Sequence, residues 1–220
     1  TRERARMAGS NASEGNRKGL FVVLEGIDGA GTTTQGRMLA QWLERRGRTV
    51  ELCWEPTDGQ VGSLIRKALQ KDGPDLDERV FALLFAADRI DHIEKQILPA
   101  IESGRDVISD RYVLSSLAYQ STQLDLDWVR SLNRFAFAPD IALLLDAPAQ
   151  VCMDRLDSAG RGGERYEKTQ LLERIRLNYR QIASKLVEEG QRLETLDASL
   201  SIEELHQRIV EMVQPLLREQ

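Results

Sequence analysis

The sequence has little cysteine, no long apolar run and no excess of positive charge, and each shortage closes off a class of function. Cys53 and Cys152 are the only two cysteines in 220 residues, lie far apart and show no metal-binding spacing. No disulfide framework is expected, and a reducing, cytoplasmic setting is the simpler reading. No stretch approaches the ~18 apolar residues that a membrane span requires. The formal net charge of −5 supplies no global field toward nucleic acid or a membrane surface, so neither is expected as a partner. There is no internal repeat and no linker that would divide the chain. A hydrophobic content of 41% suffices for one sizeable core, and the length suits one domain.

Residues 1–18 are polar and aperiodic and read as a flexible N-terminal tail. Glu3, Glu14 and the lack of an apolar stretch there argue against an address signal. From residue 19 to 220, short apolar runs alternate with longer helical patterns. Leu20 to Glu25 (LFVVLE), Thr49 to Trp54, Asp106 to Asp110, Pro139 to Pro148 and Arg192 to Ala198 read as strands. Met38, Leu39, Trp42 and Leu43 share a face of a helix starting near Thr33 and ended by Gly47. Residues 61–69 and 76–104 read as helices, two more follow the third strand, and Ser201 with Glu204 caps a last one. Strands separated by helices pair in parallel through right-handed crossovers. The expected fold is an α/β, doubly wound five-stranded parallel sheet flanked by helices. Ligands in such sheets bind beyond the carboxyl ends of the strands. Chemistry is therefore expected at 26–34, 55–60, 110–120 and from Asp146 onward.

The first of these loops, GIDGAGTTTQ, has the spacing of a phosphate-binding loop, G-x-x-x-x-G-K-[ST], but Thr32 stands at the lysine position. Gly26, Gly29 and Gly31 let the backbone turn tightly and aim consecutive N–H groups inward. The following helix adds the positive end of its dipole. Gly26, Ile27, Asp28, Gly29, Ala30, Gly31, Thr32, Thr33 and Thr34 thus form a candidate anion cradle. Thr33 holds the hydroxyl position that ligates Mg²⁺. What is absent is one cation near the outer phosphates. A glycine-rich turn with no ligand is the plain alternative on this loop alone.

Three further segments bear on the choice. Asp110 ends the third strand beside the loop, where an aspartate can hold Mg²⁺ or its waters, and Arg111 can clamp a phosphate with its planar fork. An internal Asp–Arg pair is the alternative. Phe85 and Arg89, four apart on a helix, can stack on a base and reach its edge, although the aromatic positions also suit core packing. Arg161 and Arg165 lie in a glycine-punctuated segment, about 157–169, that suits a lid closing on phosphates; a solvated loop is the alternative.

Taken in order, FVVLEGIDGAG, EPT, LLFAADR, DRYVLSSLAYQ and PDIALLLD, with the arginine-bearing segment, resemble the thymidylate kinase family of the nucleoside monophosphate kinase-like group, from Leu20 to about Tyr179. The resemblance implies a P-loop kinase fold, Mg²⁺-assisted transfer from ATP to dTMP, and a homodimer. It implies that the loop holds ATP and that Asp28 lies near the acceptor sugar and the metal. It further implies that Arg66 and Arg111 hold the acceptor phosphate, Phe85 stacks on thymine and Arg89 reaches a base carbonyl. Glu55, Ser115, Tyr119 and Gln120 would complete the dTMP pocket, with Tyr119 crowding the 2′ position. The family has a design in which the loop lacks a basic residue and lid arginines supply the charge. This chain resembles that bacterial-type design, with Arg161 and Arg165 favoured over Arg111 and Lys18 as the compensating cations. A non-catalytic nucleotide binder and a kinase for another acceptor remain the alternatives.

Overall fold

The computed structural model describes residues 19–70, 72–158 and 165–217, with the backbone alone for 165–167. Five strands, β1 (Phe21–Glu25), β2 (Val50–Trp54), β3 (Asp106–Asp110), β4 (Ile141–Asp146) and β5 (Leu193–Asp197), form one sheet in the order β2-β3-β1-β4-β5. All neighbours are parallel. The five strands expected from the sequence are the five observed. Every residue of β1 is buried, which is why its apolar run is continuous rather than alternating. Side chains still alternate between faces. Val22 and Leu24 join one core cluster with Leu39 and Leu43, whereas Phe21 and Val23 join another with Ile97, Ile101 and Val107. Full burial of each such side chain is worth roughly 1.5–3 kcal/mol.

The helices are α1 (Thr32–Glu44), α2 (Gln60–Ala68), α3 (Glu78–His92), α4 (Leu98–Glu102), α5 (Val113–Gln120), α6 (Leu126–Leu132), α7 (Ala149–Ser158), α8 (Arg165–Glu188) and α9 (Ile202–Val213). Helix α1 starts one residue earlier than expected, and Met38 sits at the edge of its buried stripe. Gln35 and Gly36 fill that stripe instead, Gln35 donating to the Ile202 carbonyl at 2.9 Å. The long helical pattern of 76–104 is interrupted by a π-helical turn, Ile93–Ile97, just before Pro99. Proline lacks an N–H and crowds the preceding turn, and a widened turn accommodates both effects. The Ser201–Glu204 capping box is present.

Candidate functional site

The loop between β1 and α1 folds around two glycines with positive φ, Gly29 at 87° and Gly31 at 102°. A Cβ on Gly29 would also lie 2.5 Å from the Cys152 carbonyl oxygen, so α7 presses directly on the loop. The result is a cleft of about 610 Å³ lined by residues 27–35, Asp110 and Arg111, with Arg155, Leu156 and Lys168 on one side and Leu200, Ile202 and Leu205 on another. The loop's backbone and the N-terminus of α1 face this cleft, as an anion cradle requires.

Asp110, at the end of β3, meets the loop. The Thr33 hydroxyl donates to Asp110 Oδ2 at 2.5 Å, while Asp110 Oδ1 is buried without a hydrogen-bond partner. A hydroxyl and a carboxylate with one unsatisfied oxygen fit a hard divalent cation that takes its other ligands from phosphate and water. Among the described residues no group of three or more His, Cys, Asp or Glu could hold a metal. A Mg²⁺ ion here would therefore depend on the phosphates it accompanies.

Arg111 does not pair with its neighbour Asp110. Its φ is 74°, in the left-handed region, and this turn sends its guanidinium to Asp28 at 2.6 Å, with Ser115 at 3.3 Å and the Tyr179 hydroxyl at 3.5 Å. Burial opposes its charge, but Tyr119, Tyr179, Asp28 and Asp110 more than offset that, so it stays a fixed cation. The Tyr119 hydroxyl also donates to Asp28, at 3.2 Å, and burial pushes its own pKa up to about 12. Asp28 and Arg111 thus link the phosphate cleft to Ser115 and Tyr119 on α5.

The sequence reasoning missed the group beneath this junction. Glu25, the last residue of β1, is fully buried and accepts from the Tyr112 N–H at 3.0 Å, the Ser115 hydroxyl at 2.5 Å and the Tyr179 hydroxyl at 3.3 Å. Burial raises its pKa, with Ser115, Arg111 and Arg89 pulling the other way. A carboxylate ending a wholly apolar strand was the available signal. Tyr179, a hydroxyl-bearing ring in the buried stripe of α8 that Leu172, Ile175 and Ile182 share, was the other.

A second cluster lies behind α5. Arg89, 2% exposed, donates to Glu55 at 2.7 Å, the Tyr112 carbonyl at 3.0 Å, Ser116 at 3.0 Å and Asn133. Glu55 also meets His92 Nδ1 at 3.1 Å. Phe85 is half-buried one turn before Arg89 on α3. Gln120 is buried, and its Oε1 has no partner. Arg66 on α2 donates to the Pro56 carbonyl at 2.9 Å and pairs with Asp58 at 3.0 Å. None of Glu55, Arg66, Phe85, Arg89, Ser115, Tyr119 or Gln120 lines the phosphate cleft; Ser115 and Tyr119 meet it only through Arg111 and Asp28. Asp146, at the end of β4, is tied to Arg176 of α8 at 2.6 Å. Arg161 and Lys18 lie outside the described residues, as does the side chain of Arg165.

The chain matches the family described as thymidylate kinase over residues 24–209. A probable thymidylate kinase of Pyrococcus abyssi (strain GE5 / Orsay) is 45% identical over 201 residues, covering 89% of this chain and 96% of the relative. One of Thermococcus gammatolerans (strain DSM 15229 / JCM 11827 / EJ3) is 45% identical over 204 residues, with the same coverage. A putative thymidylate kinase of Treponema pallidum (strain Nichols) is 38% identical over 194 residues, covering 86% of this chain and 92% of the relative. With a P-loop kinase fold, a glycine-built anion cradle and this similarity along most of its length, the chain belongs to the thymidylate kinase family and is a kinase.

Proposed function

We propose that the protein transfers the γ-phosphoryl group of ATP to dTMP, giving dTDP and ADP. The observation that carries this reading is the Asp28–Arg111 pair, which joins a phosphate cradle to a second, acceptor-side group of residues. In the reaction an oxygen of the dTMP phosphate bonds to the γ-phosphorus, and the bond to the β–γ bridging oxygen breaks. Such transfers depend on positioning and on charge stabilisation rather than covalent chemistry. The N–H groups of residues 26–34 and the dipole of α1 hold the donor phosphates. Thr33 and Asp110 would hold Mg²⁺, which would offset the charge of the donor phosphates during transfer. Arg111 is both acceptor-phosphate ligand and transition-state cation. Glu25, Ser115 and Tyr179 position it. Asp28 and Tyr119 meet the acceptor sugar, Phe85 stacks on thymine, and Arg66 and Gln120 complete the pocket. Arg89, braced by Glu55 and Asn133, is the donor aimed at the base.

The charge that Thr32 does not provide comes, in this reading, from Arg161 and Arg165, as in the design whose phosphate loop carries no basic residue. The enzyme works as a homodimer in the cytoplasm. Val80, Leu83 and Ile90 leave one apolar stripe of α3 exposed, which suits a second copy, and both cysteines are free and buried. Among the described residues no helix is long and apolar enough to cross a membrane.

The test is ADP release by purified protein with ATP and Mg²⁺ against a panel of nucleoside monophosphates. Turnover should be highest with dTMP and should fall on omission of Mg²⁺. Equal turnover with a ribonucleotide or purine acceptor would move the acceptor assignment, and tight dTMP binding without turnover would refute the enzyme assignment.

A further inference from the structure

We propose that Lys168, alongside the lid arginines, supplies donor-phosphate charge that the loop lacks, its ammonium reaching the outer phosphates from the side of the cleft. The inference rests on reading that cleft as the ATP phosphate site. Three cations line it among the described residues: Arg111, Arg155 and Lys168. Arg111 is taken up by Asp28, Ser115 and Tyr179 on the acceptor side. Arg155 lies in the last turn of α7, where the negative end of the helix dipole favours a cation, so local structure already accounts for it. Lys168 has no such account. It stands in the first turn of α8, which begins at Arg165, and there the dipole opposes a positive charge. It is half-buried and makes no hydrogen bond or ion pair with another described residue. A cation held against a helix dipole, facing an anion cradle and without a partner among the described residues, is placed to be stabilised by a bound anion. The ligand class is a nucleoside triphosphate. The chemistry matches the missing group: an ammonium is a compact point charge on a flexible stem, which can reach phosphate oxygens from a different anchor.

Lys168→Met, Lys168→Arg, Thr32→Lys and the double variant Thr32→Lys/Lys168→Met, each checked for native folding, test the assignment. Lys168→Met should lower kcat/KM for ATP about a hundredfold, as loss of a transition-state cation does. The KM for dTMP should stay within about threefold, and a non-hydrolysable ATP analogue should lose more affinity than AMP. Restoring a lysine in the loop should recover at least about tenfold of the loss in the double variant. A Lys168→Met enzyme within about threefold of the unmodified protein, or a double variant no faster than Lys168→Met while Thr32→Lys itself is active, overturns the proposal. If Thr32→Lys alone is inactive, Lys168→Arg decides: it should keep most of the activity, and an Arg variant as slow as the Met one overturns the assignment. If the unmodified protein turns over no acceptor, the reading as a dTMP kinase has failed instead, and the analogue-binding comparison still decides Lys168.

Discussion

Arg111 carries an energetic cost at the scale of the single residue. A non-glycine residue in the left-handed region costs roughly 1–2 kcal/mol, and Arg111 stays at φ 74° because its N–H donates to the Leu24 carbonyl and its carbonyl accepts from Ser109. Strain held in this way aims the guanidinium across the strand end at Asp28. Arg111→Ala and Arg111→Gly should both lose at least about a hundredfold in kcat. They should differ in stability, with the glycine variant about 1 kcal/mol more stable by urea denaturation. Equal stability would show that the backbone there is relaxed. Glu25 gives a pH signature. Burial holds its folded-state pKa above the ordinary 4.5, so the native protein binds that proton more tightly than the unfolded chain. The resulting stability is fully present below the unfolded value and is lost as pH rises through the folded one. Glu25→Gln should therefore lose less stability than the unmodified protein as pH rises above the ordinary carboxylate range. A parallel decline in both would show that other groups cause it. Such residues are the hardest to find in a sequence. Glu55 and Arg89 are 34 positions apart and Glu25 and Tyr179 are 154 apart, and no local pattern links them. Thr33 and Asp110 were legible because each sits at a strand or helix terminus that a motif marks.

Among the elements, α8 connects the cleft to the core. Its first turn carries Lys168, its middle carries Tyr179 against Glu25, and Arg176 ties it to the end of β4 through Asp146. That pair is 17% and 15% exposed, so truncating it leaves a partly buried carboxylate without its partner. Arg176→Ala should cost about 2 kcal/mol of stability. It should also lower kcat while leaving dTMP binding nearly unchanged, because the shift reaches the donor side of the cleft. Unchanged kcat would show that α8 is held by packing alone. At this scale the sequence was most informative. Strand β1 reads as a strand because both its faces are covered, and α9 reads as a helix because Ser201 and Glu204 satisfy each other's backbone partners. The π-helical turn before Pro99 was not legible, since the helical pattern runs through it unbroken. Its cause is one missing N–H rather than a change of periodicity.

Across the whole molecule, the parallel order β2-β3-β1-β4-β5 places the loops after β1, β3 and β4 at one end of the sheet, where the chemistry gathers. Alternation of strands and helices was enough to foresee the parallel sheet and its carboxyl-end loops, but not the order of the strands. It could not foresee that the candidate site residues divide into a group around Asp28 and a buried group around Arg89, because burial depends on packing that periodicity does not report. The exposed stripe of α3 predicts self-association: sedimentation should show a dimer, and Leu83→Lys should yield monomer with the fold intact. A monomer in the unmodified protein would refute that surface. The central claim is that charge outside the phosphate loop already does the work of the lysine that Thr32 replaces. It is tested most directly by single-turnover phosphoryl transfer in Thr32→Lys beside the unmodified enzyme. The account predicts a gain of no more than about threefold; a gain of about a hundredfold would show an uncompensated loop and contradict it.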